Sequence, residues 1–107
     1  MSILVCGTMA YDTLFSFHGR FDSQILPDQL HKISTTFLAP SMRRECGGVA
    51  GNIAYSLCLL GERPIVMGTV GDDFEPYRQH LRRVGVDDRF IRHIPGQFTS
   101  QCFGIAD

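Results

Sequence analysis

An α/β fold built on a mostly parallel sheet follows from three features of these 107 residues. Two continuous apolar runs, Ile3–Cys6 and Ile65–Val70, read as buried parallel strands. Stretches with helical apolar spacing alternate with the strands, which is the pattern of β-α-β units. Between the first strand and the first helix lies a long strand-rich insertion that a plain crossover does not need.

The first strand, Ile3–Cys6, ends at Gly7. Thr13–Phe17 is rich in β-forming residues and is closed by His18-Gly19. Phe21–His31 is polar and contains Pro27, so it reads as a loop. Ile33–Leu38 again has strand composition and stops before Pro40. These two extra strands are expected to leave the main sheet as a flap. Ala50–Leu60 reads as a helix, because Ile53, Ala54, Leu57 and Leu60 share a face and Gly61 stands where a helix-ending glycine belongs. Cys58 and Leu59 make its other side apolar too, so burial over most of its circumference is expected. Asp73 is placed to cap a second helix that ends at Val84. Phe74, Tyr77, Leu81 and Val84 form its apolar stripe, Pro76 falls in its first turn, and Gly85 follows it. Phe90–Ile94 and Phe98–Ile105 are further strands, with Pro95-Gly96 as a turn between them. Two helices cannot dress both faces of such a sheet. The chain is therefore expected to be part of a larger domain, or to have that face covered by another surface.

Ten Lys+Arg against eleven Asp+Glu give a net charge of -1. That excludes a basic footprint for nucleic acid and argues against an anionic membrane surface as partner. A content of 44% hydrophobic and 20% charged residues excludes compositional disorder. No apolar run approaches the roughly 20 residues of a bilayer span. Met1–Gly7 lacks a basic leader region and a cleavage site, so a cytoplasmic location is expected. Cys6, Cys46, Cys58 and Cys102 form no C-x-x-C pair and are expected as reduced, mostly buried thiols. His18, His31, His80 and His93 show no spacing suited to a metal face, and none is expected. There is no G-x-x-x-x-G-K-[ST] phosphate loop.

The densest glycine cluster, Gly47-Gly48-Val49-Ala50-Gly51-Asn52, enters the first helix. Glycines there let the backbone approach a ligand, and the first helical N–H groups are unpaired. Asn52 offers a donor and an acceptor from the first turn. A plain tight turn explains the same glycines. Asp12 stands five residues beyond the first strand, near where open α/β sheets bind ligands. Its carboxylate can accept from two neighbouring sugar hydroxyls, or can merely close a local turn. Arg43-Arg44 reads as solvated charge or as a phosphate contact. Phe15, Phe17, Phe37 and Phe103 read as packing or as stacking partners for a base. Arg82-Arg83 lies on the polar side of the second helix and needs no ligand.

Gly47-Gly48-Val49-Ala50-Gly51-Asn52-Ile53-Ala54, then six residues to Gly61 and nine to Gly71, resembles the N-terminal signature of the ribokinase (PfkB) family of carbohydrate and nucleoside kinases. The resemblance extends to Gly7, Asp12, Val70-Gly71-Asp72-Asp73-Phe74 and Gly85-Val86-Asp87, and so to almost the whole chain. It implies the N-terminal portion of a ribokinase-like domain over residues 1–107, with a small β lid whose strands fall within about 12–45 and 98–107. It implies phosphoryl transfer from ATP, with Mg2+, to a sugar hydroxyl. Asp12 and Asn52 would bind ribose hydroxyls, while Gly47 and Gly48 would bring backbone to the sugar. Gly7-Thr8-Met9-Ala10-Tyr11-Asp12 and Arg43–Gly48 look most like bacterial adenosine kinases, which implies the 5′-hydroxyl of adenosine as acceptor. Ribose, inosine, guanosine or a hexose are the alternatives, as is a non-catalytic binding module. Many relatives carry Asn where this chain has Thr8. The family's second signature, Gly-Ala-Gly-Asp with its catalytic base, does not occur among these residues. The resemblance thus implies no catalytic residue here, ATP and Mg2+ bound mainly by a missing C-terminal part, and an inactive chain on its own. It also implies a small-molecule sugar or nucleoside partner and allows a homodimer through the lid.

Overall fold

The computed structural model describes residues 2–17, 19–20 and 38–106. Their elements are β1 (Leu4–Cys6), β2 (Ala10–Ser16), β3 (Ser41–Gly47), α1 (Val49–Leu59), β4 (Ile65–Val70), α2 (Glu75–Val84), β5 (Asp87–His93) and β6 (Ser100–Ala106). They form two three-stranded sheets, ordered β1-β4-β5 and β3-β2-β6. The first sheet is parallel throughout. In the second, β2 runs antiparallel to β3 and parallel to β6.

In the first sheet Val5 pairs with Val66, and both point toward the helices. Ala50 and Ala54 of α1 and Tyr77 and Leu81 of α2 close the core over them. The small alanines let α1 approach the strands closely. On the other face Leu4, Met67 and Phe90 are 52%, 43% and 52% exposed. The apolar runs of β1 and β4 are therefore buried on one side only, because among the described residues both helices lie on the same face. The same geometry corrects the expectation for α1. Only Ala50, Gly51 and Ala54 are buried, while Ile53, Tyr55 and Leu59 face outward. It also leaves Cys6 exposed on β1, and Cys102 is exposed on β6; Cys46 and Cys58 are partly buried, and all four are free thiols.

Both helices end as their glycines suggest. The Gly61 N–H donates to the Cys58 carbonyl and the Glu62 N–H to the Leu57 carbonyl, each at 3.0 Å. At the end of α2 the Gly85 N–H donates to the Arg82 carbonyl and the Val86 N–H to the Leu81 carbonyl. The start of α2 differs from expectation. Phe74 is the capping residue and no side chain caps the helix. The Asp73 carboxylate instead accepts from the Thr99 N–H, so a long-range bond takes the place of a local one.

Strand β2 begins at Ala10, earlier than its apolar run. Strand β3 carries the polar sequence Met42-Arg43-Arg44-Glu45, and its register is set by pairing with β2. The expected loop over 21–31 and residues 33–37 of the expected strand Ile33–Leu38 lie outside the described residues, and Leu38 itself is not in a strand. No helix among the described residues is long and apolar enough to cross a membrane.

Asp88 of β5 binds α2 to the sheet. Arg78 and Arg82, one turn apart, each place a nitrogen 2.9 Å from Asp88 Oδ2. Burial opposes ionisation of Asp88, but hydrogen bonds from the two guanidinium groups prevail and hold its carboxyl below the usual carboxylate range. A carboxyl with a lowered folded-state pKa adds stability above its unfolded pKa and loses it as pH falls. Thermal denaturation between about pH 5 and about pH 3 should therefore show a steeper loss of Tm for the wild type than for Asp88→Asn. Parallel curves would show that this cluster does not set acid stability.

Candidate functional site

The turn from β3 into α1 gathers the residues singled out from the sequence. Gly47 ends β3, and its carbonyl accepts from the Tyr77 hydroxyl. Ala10 pairs with Gly47, and Asp12, two residues on, pairs with Glu45. The Asp12 carboxylate fills the space that a Cβ on Gly47 would occupy. The missing side chain at Gly47 thus admits Asp12 to the turn. Gly48 has φ +88°, and a Cβ there would stand 2.5 Å from the Thr8 carbonyl oxygen and 2.8 Å from the Ala10 nitrogen. Only glycine lets the chain turn at this distance from the β1–β2 connection. The Ala50 N–H donates to the Thr8 carbonyl at 2.9 Å and the Asn52 N–H to the Gly48 carbonyl at 3.0 Å. Asp12, Gly47, Gly48 and Asn52 are thereby brought to one junction between the sheets.

The Asn52 side chain is exposed and lines a cavity of about 460 Å³ with Arg44, Glu45, Tyr55, Tyr77 and His80. Strand alternation sends Asp12 and Glu45 to one face of the second sheet, and Tyr11, Thr13, Arg44 and Cys46 to the other. The Tyr55 and His80 rings stack at 5.8 Å on the floor of this cavity.

A second group behind the turn was not evident from sequence. The Tyr11 hydroxyl donates to the Asp73 carbonyl at 2.8 Å and accepts from the Tyr77 N–H at 3.3 Å. The two rings meet edge to face, with centroids 5.7 Å apart. Burial pushes the Tyr77 hydroxyl far above the usual phenol range, and burial also raises Tyr11. Both hydroxyls stay protonated and remain donors at any physiological pH. Arg44 is not free charge. Its guanidinium lies 3.6 Å over the Tyr11 ring and 3.9 Å from the Asp73 carboxylate. Arg43 pairs on the surface with Glu45 at 3.0 Å. Phe15 stacks with Phe103 at 6.4 Å, which is packing within the second sheet.

Among the described residues no group of three His, Cys, Asp or Glu is arranged to hold a metal ion. Asp72 is engaged by His93 at 2.6 Å and by the Gly96 N–H at 3.1 Å. Asp73 is engaged by Thr99 and Gln101. The acidic pair after β4 is thus a structural tie.

Tyr77→Phe removes the only side-chain donor seen at the buried Gly47 carbonyl among the described residues. An unsatisfied buried carbonyl costs roughly 1–3 kcal/mol. Chemical denaturation of the intact protein should show a loss of that size, and no change in midpoint would dismiss the bond as a contributor.

The profile of the pfkB family carbohydrate kinases matches residues 21–107. The nucleoside kinase of Methanothermobacter thermautotrophicus is 32% identical over 98 residues, covering 90% of this chain and 32% of that protein. The structure of Burkholderia thailandensis nucleoside kinase in complex with inosine matches with a TM-score of 0.79 at 40% identity, over 99% of this chain and 33% of the other. The same kinase in complex with ADP-inosine matches with a TM-score of 0.70 at 44% identity, over 97% of this chain and 33% of the other. The chain therefore spans about a third of the length of these relatives. With the signature at Gly47–Gly71, the two-sheet architecture and these matches in agreement, the chain belongs to the pfkB family of carbohydrate kinases and has the ribokinase-like α/β fold.

Proposed function

We propose that the protein carrying this chain transfers the γ-phosphoryl group of ATP to the 5′-hydroxyl of a nucleoside, and that these residues form part of the acceptor site. The observation that carries this reading is the Asp12 carboxylate lodged against Gly47 at the mouth of α1. A carboxylate there can accept from two ribose hydroxyls at once. Asn52, one helical turn from Gly48, can bond a further hydroxyl. These are positioning roles, and positioning supplies much of the catalysis in phosphoryl transfer.

The sequence resemblance favours adenosine. The inosine-bound relative extends the expected acceptors to nucleosides with other bases. The acids after β4 are already committed to hydrogen bonds with His93, Gly96, Thr99 and Gln101. The nucleotide, Mg2+ and the catalytic base are assigned to the two thirds of the relatives' length that this chain does not span. The second sheet serves as the lid over the acceptor, and a cytoplasmic location is part of the same reading.

Radiolabel transfer from ATP by the intact protein tests it, with adenosine, inosine, ribose and hexoses as acceptors. Label should enter nucleosides first; transfer to ribose or hexoses alone would reject the nucleoside reading. Asp12→Asn should lower kcat/KM on the order of ten- to a hundredfold, because a hydrogen bond to a charged group contributes roughly 1.5–3 kcal/mol. Unchanged kinetics would remove Asp12 from the site.

An exposed apolar patch on the second sheet supports a homodimer. Phe15, Met42, Phe103 and Ile105 line one apolar cavity of about 600 Å³, with Met42 65% and Phe103 67% exposed. Phe103→Asp should convert a dimer to a monomer in analytical ultracentrifugation, and a monomeric wild type would contradict this assembly.

A further inference from the structure

We infer that Asp73 is a positioning residue that latches the second sheet, and Asp12 with it, onto the first sheet. This inference rests on the kinase reading for its effect on substrate.

Asp73 stands in the turn between β4 and α2, on the first sheet, yet it reaches every strand of the second. Its carbonyl accepts from the Tyr11 hydroxyl of β2 at 2.8 Å. Its Oδ1 accepts from the N–H of Thr99, the residue before β6, at 2.8 Å. Its Oδ2 accepts from Gln101 Nε2 of β6 at 3.1 Å and lies 3.9 Å from Arg44 Nη2 of β3. The turn is braced from behind. The Gly71 N–H donates to Thr99 Oγ1 at 3.0 Å, and the Asp72 N–H donates to the Gln97 carbonyl at 2.8 Å. A carboxylate in this place could cap α2, which has no side-chain cap. It is turned to the other sheet instead. Burial works against its ionisation, but the Thr99 hydrogen bonds and Arg44 hold it below the usual carboxylate range.

The link to the acceptor site is short. Tyr11 and Asp12 are neighbours in β2, and a paired strand is stiff over two residues. The Asp73 carboxylate stands beside Arg44, whose guanidinium lies 3.6 Å over the Tyr11 ring, so what fixes Arg44 and Tyr11 also fixes where the Asp12 carboxylate leaves the strand. A displacement of about 1 Å in a substrate-holding group can lower turnover a hundredfold. Loosening Asp73 should therefore be felt by the nucleoside and not by the nucleotide.

The test compares wild type, Asp73→Asn and Asp73→Ala in the intact protein, by steady-state kinetics with adenosine and inosine and by hydrogen exchange. Asp73→Ala should raise the nucleoside KM on the order of tenfold and leave the ATP KM within about twofold. Amide exchange should quicken in residues 10–16 and 99–106 while β4 keeps its protection. Asp73→Asn keeps an acceptor for the Thr99 N–H and should fall between the two. An unchanged nucleoside KM with unchanged exchange would overturn the inference. So would faster exchange across both sheets with both KM values raised alike, the mark of a merely structural role. If Asp73→Ala does not fold, Gln101→Leu supplies the same comparison, with a smaller shift of the same pattern expected. If the wild type phosphorylates no nucleoside, the kinase reading fails by itself. Exchange confined to the second sheet would then still support the latch, and uniform exchange would reject it.

Discussion

A buried hydrogen bond from the Tyr77 hydroxyl to the Gly47 carbonyl joins the two halves of this molecule. Gly47 closes the second sheet and Tyr77 belongs to the helix layer of the first. A carbonyl buried at such a turn needs a donor, and burial keeps the phenol protonated to provide it. Around this bond the Tyr77 ring packs edge-on to Tyr11 and parallel to Phe74. One aromatic side chain thus seals the core and sets the height of the diglycine turn above it.

The glycines follow from the same constraint. Gly51 lies directly under the Tyr77 hydroxyl, where any side chain would collide with it. Gly47 yields its side-chain space to the Asp12 carboxylate. The cluster that reads from sequence as one tight turn is therefore two close contacts with a left-handed bend between them.

Charge is used mainly for tethering. Asp88 gathers two arginines of α2, Asp72 holds His93 and the Gly96 N–H, and Asp73 spans the second sheet. Exposed apolar surface is concentrated on the bare face of the first sheet and on the face of the second that carries Phe15, Met42 and Phe103. Surfaces of that kind call for cover.

Much of the architecture was legible because periodicity and punctuation are local. The runs Ile3–Cys6 and Ile65–Val70, the stripe Phe74-Tyr77-Leu81 and the stops at Gly61 and Gly85 each specify an element within a few residues. The signature Gly47–Asn52 also lay in one stretch, so the diglycine turn into α1 could be named without coordinates. Strand β3 was hidden, because Met42-Arg43-Arg44-Glu45 has little β pattern of its own and becomes a strand by pairing with β2. The bond partners of Asp73 and Tyr77 were equally hidden. Asp73 is adjacent to a helix and reads as its cap, while Thr99 and Gln101 lie more than twenty residues away. Sequence by itself determined the types of the elements other than β3, the family and the residues of the turn, since each is written in short-range spacing. Tertiary structure alone decided which sheet face is bare, where Asp73 points and what fills the space over Gly47, because those depend on groups that only folding brings together.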